Sequence, residues 1–144
     1  MYVPEINYWA VLVSAVVFFL IGAMWYGPLL GKAWLKAMGW TRESLEASIG
    51  KTTMAKSFII MFVSSLIMSY VTAHMVSFMS VVYPEIGMVQ VGLSCAFWLW
   101  LGYVLSYILT APAFERRPWS YVFINGGYWL IGMIAAGLIL GYWR

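Results

Sequence analysis

The stretch SFIIMFVSSLIMSYVTAHMVSFMS, residues 57–80, decides the fold. It holds no Asp, Glu, Lys or Arg, and as an α-helix rising about 1.5 Å per residue it is longer than the roughly 30 Å hydrocarbon core of a bilayer. Hydrocarbon satisfies no backbone donor or acceptor, so a helix, which pairs its own, is the expected conformation. With Thr53 at its leading edge this is one span, and the pattern recurs from Ile6 to Gly27, from Gly87 to Ala111 and from Trp119 to Tyr142. The expected fold is an all-α membrane protein, one domain over residues 1–144 with spans at about 6–27, 53–80, 87–111 and 119–142.

Composition agrees. Of 144 residues, 64% are hydrophobic and 9% charged, against about 25% charged in a soluble domain. Only Pro28 to Thr52 is long enough to hold anything besides spans. The net charge of +3 does not point to nucleic acid, because the basic residues sit beside the apolar segments. The one cysteine, Cys95, lies inside the third span and excludes an internal disulfide. Met1 to Asn7 carries only Glu5 and lacks the basic start of a signal peptide, so the first span is expected to be retained.

Charge sets the expected sidedness. Lys32, Lys36, Arg42, Lys51 and Lys56 fall in or beside the first connection, and Arg116 and Arg117 in the third. The second connection, Val81 to Ile86, has no basic residue. Basic short loops stay in the cytoplasm. The reading is therefore a multi-pass protein of the inner (cytoplasmic) membrane with both termini outside the cytoplasm. Tyr8, Trp9, Trp25, Tyr26, Trp119 and Trp143 stand at span ends and read as headgroup anchors.

The first connection has its own pattern. Leu30, Trp34 and Ala37 share one helical face and Lys32 with Lys36 another, which predicts a short interfacial amphipathic helix ended by Gly39. Thr41 is placed to cap a second short helix through Ile49, with Gly50 at its end.

Helices in lipid associate through small residues that allow close approach. Ser65, Ser69, Ala73 and Ser77 form such a stripe on the second span, and Gly132 with Ala136 one on the fourth. Gly137 with Gly141, Gly92 with Ala96 and Gly102 with Ser106 add more, which suits a homo-oligomer. Met54, Met61, Met68 and Met75 also recur by sevens, but about 10.5 Å apart along an axis they cannot share a copper ion. No metal and no cofactor is expected.

Catalytic constellations are missing too. No Asp, Glu, Lys or Arg lies in the core of a span, which counts against a proton-coupled pump. His74 is the only histidine, and no catalytic triad, phosphate loop or Cys pair is available. An enzyme would have to work from Tyr, Trp, Asn and Arg, so no catalytic residue is assigned. The suggestive groups are polar aromatics at mid-depth. Asn125 and Trp129 share a face of the fourth span, Trp100, Tyr103 and Tyr107 a face of the third, and Tyr70 lies at similar depth on the second. Together these six would line an aromatic, weakly polar cavity for a ligand; otherwise they bond neighbouring carbonyls in a packed bundle.

Some of the sequence has a familiar look: Asn7 to Trp9, the run Gly22-Ala23-Met24-Trp25-Tyr26-Gly27-Pro28-Leu29 with Lys32 and Trp34, then Phe114 to Trp119, Ile124 to Tyr128 and the exit through Gly137 to Trp143. On these residues the chain resembles a bacterial family of small four-span integral membrane proteins classed as a domain of unknown function. The resemblance implies the topology and no activity. The expected role is binding or translocating a small hydrophobic or neutral solute. The alternative is a structural or regulatory membrane protein whose partners are membrane lipids or another membrane protein.

Overall fold

The structure, a computed structural model, describes residues 3–49 and 51–143, with the side chains of 51 and 52 left aside. Gly50, the expected end of the second short helix, and Arg144 lie outside the described residues. Four helical stretches are long and apolar enough to cross a membrane: Tyr8–Leu29, Thr53–Val82, Met88–Phe114 and Trp119–Tyr142. The protein is an all-α membrane protein, and no strand forms among the described residues.

Helix α1 (Tyr8–Met24) starts where Asn7 caps it, its Oδ1 accepting from the N–H groups of Trp9 at 3.0 Å and Ala10 at 3.1 Å. Beyond Met24 the chain passes into a π-helical turn, Trp25–Leu29. Pro28 causes it: lacking an N–H, it cannot bond back to Met24, and Leu30 N–H reaches Trp25 O at 2.8 Å instead. Helix α2 (Gly31–Met38) follows and stops at Gly39, whose φ of 73° is the left-handed C-terminal position that glycine tolerates. Helix α3 (Arg42–Ser48) is capped by Thr41, with Thr41 and Ser44 exchanging side-chain hydrogen bonds at 3.0 and 3.1 Å.

The 32-residue α4 (Lys51–Val82) is the longest element. The third span is not one smooth helix. It runs as α5 (Met88–Leu99), a π-helical segment Trp100–Leu105, then α6 (Ser106–Ile108) and α7 (Thr110–Phe114), where Pro112 again lacks a donor. Helix α8 (Trp119–Tyr142) closes the chain.

Spans consecutive in the chain, and the first and fourth, pack antiparallel, while α4 and α8 run parallel where they meet. Helix α8 touches α1, α4 and α5, and α4 touches the same two outer helices, so α4 and α8 form the short diagonal of the bundle. Ser65, Ser69, Ala73 and Ser77 lie on the inner side of α4 with exposures of 1, 0, 7 and 3%. Gly132 sits under the ring of Phe18, and Ala136 belongs to the same cluster. The closest approach is between α5 and α8. A Cβ on Gly92 would strike Gly137 O, and one on Gly141 would come 2.6 Å from Met88 O. Gly102, by contrast, is exposed and has nothing within 4 Å of an added Cβ.

This contrast makes a matched test. Gly92→Ala should lower stability in detergent by about 1–3 kcal/mol, because two backbones must separate. Gly102→Ala should be neutral or gain up to about 1 kcal/mol from helix propensity. Equal effects of the two in a thermal or denaturant titration would show that the α5–α8 approach is not a constraint.

Candidate functional site

Two places on the bundle combine polar and aromatic groups. The first is a tie between three spans at the end where α1 finishes and α8 begins. Three successive residues of α8, Ile124, Asn125 and Gly126, each accept a hydrogen bond from a ring of another helix. Trp25 Nε1 donates to Ile124 O at 2.9 Å, Tyr26 Oη to Asn125 Oδ1 at 2.6 Å, and Trp100 Nε1 to Gly126 O at 2.9 Å. Glycine makes room for the rings: a Cβ on Gly127 would lie only 3.2 Å from Trp25 Cζ2. Both π-helical segments border this strip, since one begins at Trp25 and the other at Trp100.

The rings then stack into a core. Tyr26 packs edge-on against Tyr128 at 5.1 Å, and Phe18 against Tyr128 and Trp129 at 5.5 and 5.4 Å. Such pairs add about 0.5–1.5 kcal/mol each beyond buried area. Asn125 spends both ends of its amide here, because Nδ2 donates to Tyr121 O at 2.9 Å. The arrangement locks the two buried indole N–H groups and one phenol to fixed acceptors. It offers no free nucleophile, acid or base.

Of the six residues expected to share a cavity, Asn125, Trp129 and Trp100 do meet here, while Tyr70, Tyr103 and Tyr107 do not. Tyr70 faces away, stacked on Tyr8 at 6.5 Å and tilted against His74 at 4.4 Å, because the antiparallel register sets it beside the start of α1. Tyr103 and Tyr107 are 76 and 75% exposed. In a regular helix they would follow Trp100 on one face. The π-helical segment widens the turn and changes that register, so Trp100 turns in and the tyrosines turn out. Trp25 and Tyr26 correct the reading in the other direction. They stand at a span end as anchors do, yet both point into the bundle. The signal that marks them is the Gly27-Pro28 break, which redirects the chain after them, together with Gly126-Gly127 opposite.

The second place is a groove of about 460 Å³ between the later half of α4 and α5. Met75, Met79, Tyr83, Cys95, Trp98 and Tyr103 line it. It opens sideways, where Trp98 and Tyr103 are 65 and 76% exposed. Its volume falls within the roughly 300–1,000 Å³ of small-molecule sites. Neither Asn125 nor Trp129 reaches it. His74 is turned elsewhere, its Nδ1 at 3.0 Å from Tyr70 O. Among the described residues no three His, Cys, Asp or Glu side chains gather to hold a metal.

A double-mutant cycle tests the tie. Tyr26→Phe and Asn125→Leu should each destabilise the bundle, and together by less than their sum, with a coupling of about 0.6–1.7 kcal/mol as found for hydrogen bonds between membrane helices. Additive effects in an unfolding titration would mean the hydrogen bond carries no energy.

A family model described as a protein of unknown function (DUF1761) matches residues 9–141. No curated protein and no solved structure matches the chain.

Proposed function

The chain belongs to this DUF1761 family, and we propose that it is a membrane-embedded binding protein for a small hydrophobic or neutral molecule, admitted sideways from the bilayer into the groove between α4 and α5. The groove itself carries the reading. Its walls are thioether, thiol, indole and phenol, all tolerant of an apolar guest. The indole N–H of Trp98 and the hydroxyl of Tyr103 are the donors at hand for a carbonyl or hydroxyl on that guest. Lateral entry fits the exposure of both residues.

Binding is the half of the expected role that this geometry favours. Passage across the bundle would need a path between the spans, and Phe18, Met133, Thr72, Ser14, Ser65 and Ser69 fill that interior at under 2% exposure.

The same reading places the basic end in the cytoplasm. Lys32, Lys36, Arg116 and Arg117 lie at the end opposite the second connection, and positive short loops are retained inside. In a Cys95→Ser background, single cysteines at Glu43 or Arg116 should resist an impermeant thiol reagent applied outside intact cells, and one at Glu85 should react. The reverse pattern would invert the orientation.

For the groove, a fatty alcohol carrying a photoreactive diazirine, incorporated into nanodiscs, should label Met75, Met79 and Trp98 above the lipid-exposed background at Ile60 and Phe123. Ser94, exposed on the groove wall, is the place to block it: Ser94→Trp should bring the labelling down to background without loss of folded protein. Labelling that stays at background, or that ignores Ser94→Trp, would remove the groove as a binding site.

A further inference from the structure

The basic end of the bundle is organised in more detail than a charge count requires. Helix α2 does not trail from the first span but seats on α8. Its Gly31 and Ala37 are buried, and a Cβ on Gly31 would come 2.6 Å from Tyr26 O. Trp34 packs edge-on against Tyr26 at 5.6 Å and against Trp40 at 5.7 Å. With that face held down, Lys32, Ala33 and Lys36 face outward.

The third connection is strapped to the same helix. Arg117 Nη1 donates to Met38 O at 3.4 Å, a carbonyl in the last turn of α2 that has no partner within the helix. Its Nε stands 3.5 Å from Glu115 Oε2, an ion pair without a hydrogen bond, and its Cζ lies 5.8 Å from the Tyr121 ring centre. Arg117 is thus a strut. Arg116 is not: it is exposed and without an ion pair among the described residues. It holds φ at 54°, in the left-handed position that ends α7, where Arg117 N–H returns to Ala111 O at 3.3 Å. Glycine is the usual occupant of that position, since any Cβ is crowded there. A strained arginine in the connection strapped to α2, and two outward lysines on α2, all three without an ion pair among the described residues, stand at the foot of the apolar helices.

We propose that α2 and the connection between α7 and α8 form a binding platform for anionic phospholipid headgroups, with Lys32, Lys36 and Arg116 meeting the phosphates. Charge complementarity selects a phosphate, and its setting selects a lipid as the source. The cations stand where the spans end, flanked by Trp34 and Trp40, rings suited to the headgroup layer. A lipid brings its phosphate to that depth and an acyl chain to lie along the apolar helices. The inference is independent of the groove, which lies nearer the other end of α4.

The test uses the full chain in nanodiscs of phosphatidylcholine alone or of an equimolar mixture with phosphatidylglycerol, with retained lipid counted by native mass spectrometry on the folded protein. Phosphatidylglycerol should be retained in preference to phosphatidylcholine. Lys32→Gln with Lys36→Gln should weaken that retention about twenty-five-fold, at about five-fold per basic residue near the surface. Arg42→Gln is the control. Its guanidinium already pairs with Glu46 at 3.0 Å, and retention should not change. Arg116→Gly separates binding from folding: it should lower retention about five-fold while raising the unfolding midpoint by about 3 °C as strain is relieved. Unchanged retention in the double-lysine variant or in Arg116→Gly, or an equal loss in Arg42→Gln, would overturn the proposal. So would displacement of the lipid by inorganic phosphate, which would mark a free-anion site.

Discussion

The contact on which the bundle depends is the meeting of the α5 and α8 backbones at Gly92, Gly137 and Gly141. Lipid gives helices no hydrophobic reason to associate, so what holds them is packing and hydrogen bonding between their surfaces. Where those three glycines meet, α5 and α8 touch with nothing between them. Toward the other end the same pair of helices is spaced by side chains, and Trp100 reaches across to Gly126 O. The bundle is therefore tight at one end and ring-filled at the other. On the α1 side, Phe18 over Gly132 and Trp25 over Gly127 repeat the device, an aromatic knob in a glycine hole.

The ring-filled end meets a demand of the hydrocarbon environment. A donor buried without a partner costs free energy, and water is scarce inside the membrane. Trp25, Tyr26 and Trp100 each bring one donor inward, and α8 supplies three consecutive acceptors for them. The backbone oxygens of Ile124 and Gly126 have a second lone pair to offer. Asn125 is the one side chain in the series, and its Nδ2 donates to its own helix at Tyr121 O. With its oxygen held by Tyr26 and its nitrogen by α8, the amide acts as a fastener. The binding proposal rests instead on the groove between α4 and α5.

Much of this was legible in the sequence, and the part that was not has a physical explanation. Uncharged length located the four spans, and the spacing of Lys32 and Lys36 against Leu30, Trp34 and Ala37 located α2. Gly39 and Thr41 marked a stop and a start because left-handed backbone and side-chain capping are local requirements. The π-helical segments were hidden. Pro28 announces that a hydrogen bond is lost but not how the chain repairs it, and nothing local to Trp100 announces a widened turn. Every assignment that assumed a regular helix through residues 100–107 therefore put Tyr103 and Tyr107 on the wrong side. The inward turn of Trp25 and Tyr26 was hidden for a different reason. An amphipathic ring at a span end suits a headgroup layer as well as a core, and the choice depends on an acceptor some hundred positions away in the chain.

The surface helix α2 and the bundle are joined through Tyr26. Its hydroxyl holds Asn125 on α8, its ring carries Trp34 of α2, and its carbonyl sits under Gly31. Whatever moves α2 must therefore move or break a contact with the residue that fastens α1 to α8. These contacts run from the surface helix into the bundle without any Asp, Glu, Lys or Arg, through packing and one short hydrogen bond. Arg117 adds a second attachment, fixing the far end of α2 to the start of α8. The start of α2 is thus held on the first span and its end on the third connection. Helix α2 also lies directly on α8, which in turn touches α1, α4 and α5.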